Sequence, residues 1–313
     1  MAITITAPSL RLGAWIADGI TYFASGSSAP SDLRGLARCL HPIGVSVPEL
    51  SEPALRDLER LAGLPLPVFV DTGAFGEVDA LPGGGVAVAR PISDKAWRGR
   101  LRVHTRLARA LGAQAYLVAP DRVGDQAETL RRLRLFARVV RACRGAGTRV
   151  VVPIQLGEQA PAAFDRAAAE ALGFDDYVRA IPGNKAAMPT ATLESFLRAS
   201  RPPAVHLLGV GPLGARYPEL RDVVRRVVPG AALSCDSSLL AALVGHGNGR
   251  GGAARALTSA QSAFEREDAV TFTVGPPLYI ARGMQRYREL GLLPPRRRPA
   301  VQMALFPESE ARS

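Results

Sequence analysis

Apolar residues along this chain fall into two alternating periods. Short runs rich in Val, Ile and Leu read as strands, and longer stretches with apolar residues three and four apart read as amphipathic helices. Strands are expected at 43–47, 67–71, 115–119, 149–155, 177–182, 204–211 and 231–235. Between them the helical period predicts helices over 31–40, 52–62, 95–111, 126–144, 160–172, 190–200 and 217–227, with two more over 253–266 and 277–290. In the helix over 95–111, Trp97, Leu101, His104, Ala108 and Leu111 share one face, which makes His104 a packed core residue. Ser51 can cap the helix over 52–62, and Gly63 with Pro65 stops it. Residues 1–30 read as irregular, and 79–93, with Pro82-Gly-Gly-Gly85, as a loop or hairpin insertion.

Strands alternating with helices require a parallel sheet. About seven such units within roughly 230 residues predict closure into a TIM-like (β/α)8 barrel rather than an open sheet. The dinucleotide fingerprint Gly-x-Gly-x-x-Gly is missing between strand and helix in the first half, which weakens a Rossmann assignment. The expected organisation is one catalytic barrel over 1–293, followed by a flexible, basic, Pro/Arg-rich tail over 294–313.

With 313 residues, of which 47% are hydrophobic, the chain can bury one large core. It has no apolar run of membrane-spanning length and no signal-peptide pattern. Cys39, Cys143 and Cys235 are too widely spaced for a disulfide framework or a structural zinc site, so a reducing cytoplasm is the expected compartment. The net charge is +11, and every basic residue except Lys95 and Lys185 is arginine. A GC-rich genome accounts for the arginine preference. It does not account for the surplus over acid, which favours nucleic acid as a partner.

The strand ends carry the candidate chemistry. Pro67-Val-Phe-Val-Asp71 runs apolar residues straight into a carboxylate, and Asp121, Gln155, Gly209 with Gly211, and Asp236 follow later strands. In a barrel these converge at the carboxyl-end mouth, where catalytic groups sit. Two carboxylates from different strands can divide the work between nucleophile and general acid/base, as in glycosyl transfer through a covalent sugar intermediate. A further carboxylate, an amide and backbone N–H groups can recognise the edge of a heterocycle. Singly, an Asp after a strand can equally cap the next helix.

Asp71-Thr-Gly-Ala-Phe75 resembles the Asp-Ser-Gly-Gly-Phe motif of tRNA-guanine transglycosylases. Pro153-Ile-Gln155-Leu-Gly157 resembles their Ile-Val-Gln-Gly-Gly segment, Leu208-Gly-Val-Gly211 their Leu-Ala-Val-Gly-Gly, and Asp236-Ser-Ser238 their nucleophile motif. The order agrees along residues 65–255, and Asp121 occupies the slot of the base-reading aspartate within a less similar segment. Those enzymes carry a Cys-x-Cys-x-x-Cys…His zinc site near the C-terminus, whereas this chain has no cysteine after Cys235 and is short. The resemblance therefore points to compact, zinc-free relatives of the DpdA type, which exchange guanine in DNA for a 7-deazaguanine such as 7-cyano-7-deazaguanine. It implies that Asp236 attacks C1′ of a deoxyguanosine and displaces guanine, with Asp71 transferring a proton and positioning the substrate. It further implies that Asp121 and Gln155 bind the purine edge, that N–H groups near Gly209 and Gly211 bind the carbonyl oxygen, and that no metal or other cofactor is needed. A duplex target would have its base flipped out. A zinc-free enzyme acting on tRNA, and a non-catalytic DNA-binding barrel, are the alternatives.

Other features are less specific. Gly245-His-Gly-Asn-Gly-Arg250-Gly-Gly252 could let backbone and Arg250 approach phosphate, or be a flexible loop. Lys185 could reach a phosphate near the mouth, or be a solvated loop lysine. His206, mid-strand, reads as structural, and His41 and His246 lack metal-ligand spacing. Gln302-Met303-Ala-Leu305-Phe306 resembles the peptide that docks into the bacterial sliding clamp, with Arg296–Arg298 steering toward DNA; packing back on the barrel is the alternative. Asp71-Thr-Gly also matches the retroviral-type aspartic protease signature, but that fold is all-β and this chain is not.

Overall fold

A computed structural model of the chain describes residues 16–238, except 18, 27, 39–40, 81–85 and 212–214. Eight parallel strands close into a barrel: β1 (Ile20–Ser25), β2 (Ile43–Ser46), β3 (Val68–Asp71), β4 (Ala115–Val118), β5 (Arg149–Pro153), β6 (Val178–Pro182), β7 (Ala204–Leu208) and β8 (Ala232–Ser238). The barrel closes where β1 pairs with β8 on one side and, through Ala24 and Ile43, with β2 on the other. A two-residue strand, Ile16–Ala17, adds antiparallel to β1. Helices α1 (Pro30–Arg38), α2 (Glu52–Glu59), α3 (Asp94–Leu111), α4 (Gln126–Gly145), α5 (Pro161–Leu172), α6 (Thr190–Ser200) and α7 (Tyr217–Val227) occupy successive strand-to-strand crossovers. The segment expected as a loop or hairpin contains an antiparallel hairpin, Val78–Ala80 with Val86–Val88.

The apolar runs form strands because both faces of each strand are buried. On the outer face, Ile43, Val45, Val68, Val70, Leu117, Val150, Val152, Val205 and Leu207 pack in one core with the helices. On the inner face, Phe23, Phe69, Val118, Val151, Val178 and Ala180 fill the barrel. The period of two thus separates a helix-covered layer from an interior plug. Local signals set the helix starts. Ser51, Ser93 and Asp125 each cap a helix by accepting from the backbone N–H three residues on, and α5 stops at Gly173 in the left-handed region.

Two expectations need correction. Residues 20–25 are not irregular; they are β1, with Phe23 fully buried in the barrel. β8 runs through Ser238, so Asp236 sits within the strand rather than after it. The helices expected over 253–266 and 277–290, the glycine loop with Arg250, and the tail with Gln302, Met303, Leu305 and Phe306 lie outside the described residues. Among the described residues, no helix is long and apolar enough to cross a membrane.

Candidate active site at the barrel mouth

The parallel register brings the strand-end carboxylates toward one another. Ser46 of β2 pairs with Asp71 of β3, and Asp236 of β8 pairs with Phe23 of β1, so Asp236 lies on a strand next to β1 and Asp71 two strands from β1 on the other side. Alternation turns Asp71 to the same side as the inward-facing Phe69, and Asp236 to the same side as Ser234.

Asp236 is held at one oxygen. Its Oδ1 accepts the Gly209 N–H at 2.8 Å and lies 3.2 Å from His206 Nε2. Gly209 follows β7 directly and sits at φ 65°, a left-handed conformation that aims its N–H back at β8. Two residues on, a Cβ at Gly211 would fall 2.2 Å from Ser237 Oγ and 2.9 Å from the Tyr22 ring. Only glycine lets this turn approach β8 so closely, and the Tyr22 hydroxyl meets Ser237 Oγ at 2.8 Å. The Gly209 amide, expected to bind a substrate carbonyl, is therefore engaged by the Asp236 carboxylate.

Asp71 Oδ2 accepts the Gly73 N–H at 3.0 Å. Burial of its carboxyl, reinforced by the nearby Asp236 charge, pushes its pKa up to about 6, against the pull of the Gly73 N–H and Arg100. Asp121 is 4% exposed. Desolvation and then the charge of Asp71 push it up to about 8, with Arg132 opposing. Its Oδ2 accepts from Gln155 Nε2 at 2.9 Å, while Gln155 Oε1 accepts the Gly124 N–H at 2.9 Å. Both ends of the Gln155 amide are thereby oriented, and one of its two N–H bonds remains to offer a ligand.

A buried ion pair braces this wall. Arg132 and Glu77 are both fully buried and joined by two contacts, Nη1 to Oε2 at 2.6 Å and Nη2 to Oε1 at 2.8 Å. Arg132 also donates to the Asp121 carbonyl at 2.6 Å and lies over the Trp97 ring at 4.8 Å. Arg100 donates to the Thr72 carbonyl at 2.8 Å, tying α3 to the segment after Asp71.

Asp71, Asp121, Gln155, Gly209, Gly211 and Asp236 are thus gathered at the carboxyl end of the barrel. Lys185 lies exposed on the turn after β6, and no contact among the described residues ties it to the carboxylates. His104 is buried on the core face of α3, as expected, with its pKa lowered to about 4 by desolvation. His206 and Ser234 were missed as part of this constellation. The available signal was that His206 is the one polar residue in the apolar run Ala204–Leu208, facing inward by the period of two. Among the described residues, no three His, Cys, Asp or Glu side chains are grouped so as to hold a metal ion.

No protein-family model matches the chain, and no curated protein sequence matches it. Solved structures similar to it include a protein assigned as a fructose-1,6-biphosphate aldolase from Coccidioides immitis, at 11% identity over 88% of this chain and 91% of that one, with a TM-score of 0.46. They also include N-acetylneuraminate lyase from Mycoplasma synoviae, at 10% identity over 88% and 82% with a TM-score of 0.44. PhdJ bound to a substrate intermediate is 16% identical over 72% and 68%, with a TM-score of 0.36.

Proposed function

We propose that this barrel exchanges a purine base on nucleic acid, removing guanine from DNA and installing a 7-deazaguanine in its place. The observation that carries this reading is the division of labour among three acids at one mouth. Asp236 is held at a single oxygen by the Gly209 N–H and the His206 ring, Asp71 beside it is raised toward neutrality, and Asp121 is paired with Gln155. Glycosyl transfer with a covalent intermediate needs a nucleophilic carboxylate and a partner that carries a proton both ways. Asp236 attacks C1′ as the C1′–N9 bond breaks, and the electron pair passes to the purine. The outgoing guanine takes the proton held by Asp71. The incoming deazaguanine returns its N9 proton to Asp71 and attacks C1′, which releases the Asp236 carboxylate. Asp121 and Gln155 hold the purine edge, and the basic surplus of the chain suits a polyanionic substrate. Arg250 and Lys185 are the phosphate contacts this reading assigns, and Gln302, Met303, Leu305 and Phe306 the peptide for a sliding clamp.

Amine-based covalent catalysis is a poorer fit. A Schiff-base lysine works desolvated in a pocket, whereas Lys95 and Lys185, the chain's lysines, are both exposed. Radiolabelled guanine supplied with duplex DNA or with tRNA tests the proposal. Label retained on DNA is expected. Label on tRNA alone would move the activity to the tRNA-acting alternative, and label on neither would overturn base exchange.

A further inference from the structure

Building on Asp236 as the nucleophile, we infer that Ser234, His206 and Gly209 form a fixed cradle that selects Oδ2 of Asp236 as the attacking atom and stabilises the carboxylate when it leaves. His206 is fully buried inside the barrel. A buried imidazole is costly unless both nitrogens are paired, and here both are. Nδ1 meets Ser234 Oγ at 2.9 Å and Nε2 meets Asp236 Oδ1 at 3.2 Å. Register makes the arrangement possible, because His206 and Ser234 stand abreast on β7 and β8 and Asp236 lies two residues along on the same face. The ring stacks on Phe69 with centroids 4.4 Å apart and planes 11° from parallel, with Phe23 at 6.0 Å. It is thus clamped against rotation. Since the Asp236 oxygen can only accept, the consistent assignment is Nε2–H donating to Asp236 and Nδ1 accepting from the Ser234 hydroxyl.

Oδ1 then faces two donors, His206 Nε2 and Gly209 N, and Oδ2 is the oxygen left to attack. On attack the Oδ2–C1′ bond forms, the C1′–N9 bond breaks with its electron pair moving to guanine, and Oδ1 becomes the ester carbonyl. In the second half-reaction N9 of the incoming base attacks C1′, the Oδ2–C1′ bond breaks, and its electron pair restores the carboxylate. Negative charge returns partly to Oδ1, where both N–H groups already point. Stabilisation prepared in advance for developing charge needs no reorganisation at the moment of reaction. His206 is a positioning residue, and its weight falls on breakdown of the intermediate.

His206→Phe keeps the stack on Phe69 and removes both nitrogens. It should lower the base-exchange kcat by about 10- to 100-fold, the worth of one hydrogen bond to a charged group, with KM for DNA little changed. The fraction of protein trapped at steady state as an Asp236–DNA adduct should rise. His206→Gln, whose amide can donate to Oδ1, should recover part of the rate. Ser234→Ala, which removes the partner of Nδ1, should give a smaller defect of the same kind. A purely structural histidine would lower adduct formation and turnover together, in step with lost folded protein by circular dichroism. Equal kcat and equal adduct fraction in wild type and folded His206→Phe would overturn the cradle while leaving base exchange standing. Should His206→Phe fail to fold, the same readouts on His206→Gln and Ser234→Ala decide, and no adduct enrichment in either sinks the inference. Absence of exchange and adduct in the wild type would instead refute the underlying nucleophile assignment.

Discussion

Asp121 is buried and carries a pKa raised to about 8, chiefly by desolvation, so it is mostly protonated at neutral pH. A bound heterocycle that offers N–H groups favours the carboxylate and expels that proton. Affinity for guanine should therefore rise with pH to about 8 and level off above it, by at most about tenfold per pH unit. Isothermal titration at several pH values checks this, and Asp121→Asn should flatten the dependence. The same shift bears on stability. A carboxyl whose folded pKa is raised holds its proton more tightly in the folded state. Its ionisation costs stability progressively as pH rises from the unfolded carboxyl range, ~4, to about 8. Asp121→Asn removes that charge and should melt higher than wild type at pH ~8, by about 2–4 °C for each kcal/mol gained. The advantage should shrink toward pH ~5. At this scale the acids were legible because each follows an apolar run. His206 was not, because its partner lies 30 positions away and only sheet register brings the two together.

Among the elements, the β3–α3 connection and α4 are locked by Arg132 and Glu77, which stand 55 residues apart in the chain and are both fully buried. Removing Arg132 takes both guanidinium contacts from the fully buried Glu77 carboxylate and leaves it only the Ile92 N–H and the more distant Arg122, 3.7 Å away. Arg132→Met should destabilise the protein by about 3–5 kcal/mol in urea unfolding, and adding Glu77→Gln should recover most of the loss. Because Arg132 also holds the Asp121 carbonyl, the single variant should weaken guanine binding even under conditions where it remains folded. No spacing rule could pair these two residues, since their contact depends on how α4 packs over the hairpin connection. Helices α1–α7, by contrast, were legible to within a few residues of their ends, because the apolar stripe and a cap such as Ser51 are local. β1 escaped because Ile20–Ser25 gains its identity from partners at both ends of the barrel, Leu233 with Ile20 and Ala24 with Ile43, rather than from a long apolar run.

For the whole molecule, closure is what turns scattered strand ends into one mouth, and the alternation of strand and helix foretold that closure. The charge of +11 is likewise a property of the entire chain. If it serves a polyanion, affinity for duplex DNA should fall steeply with salt, by at least about 100-fold between 50 and 200 mM when four or more phosphates are neutralised. Fluorescence anisotropy across a salt series measures that slope, and a flat response would remove the electrostatic support for a DNA substrate. The central claim, however, is covalent chemistry at Asp236, and the most direct measurement is mass spectrometry of protein trapped by denaturation during exchange on duplex DNA. The account predicts a deoxyribose-linked adduct on the peptide containing Asp236, lost in Asp236→Ala together with base exchange. An adduct on a different residue, or undiminished exchange by Asp236→Ala, would contradict it.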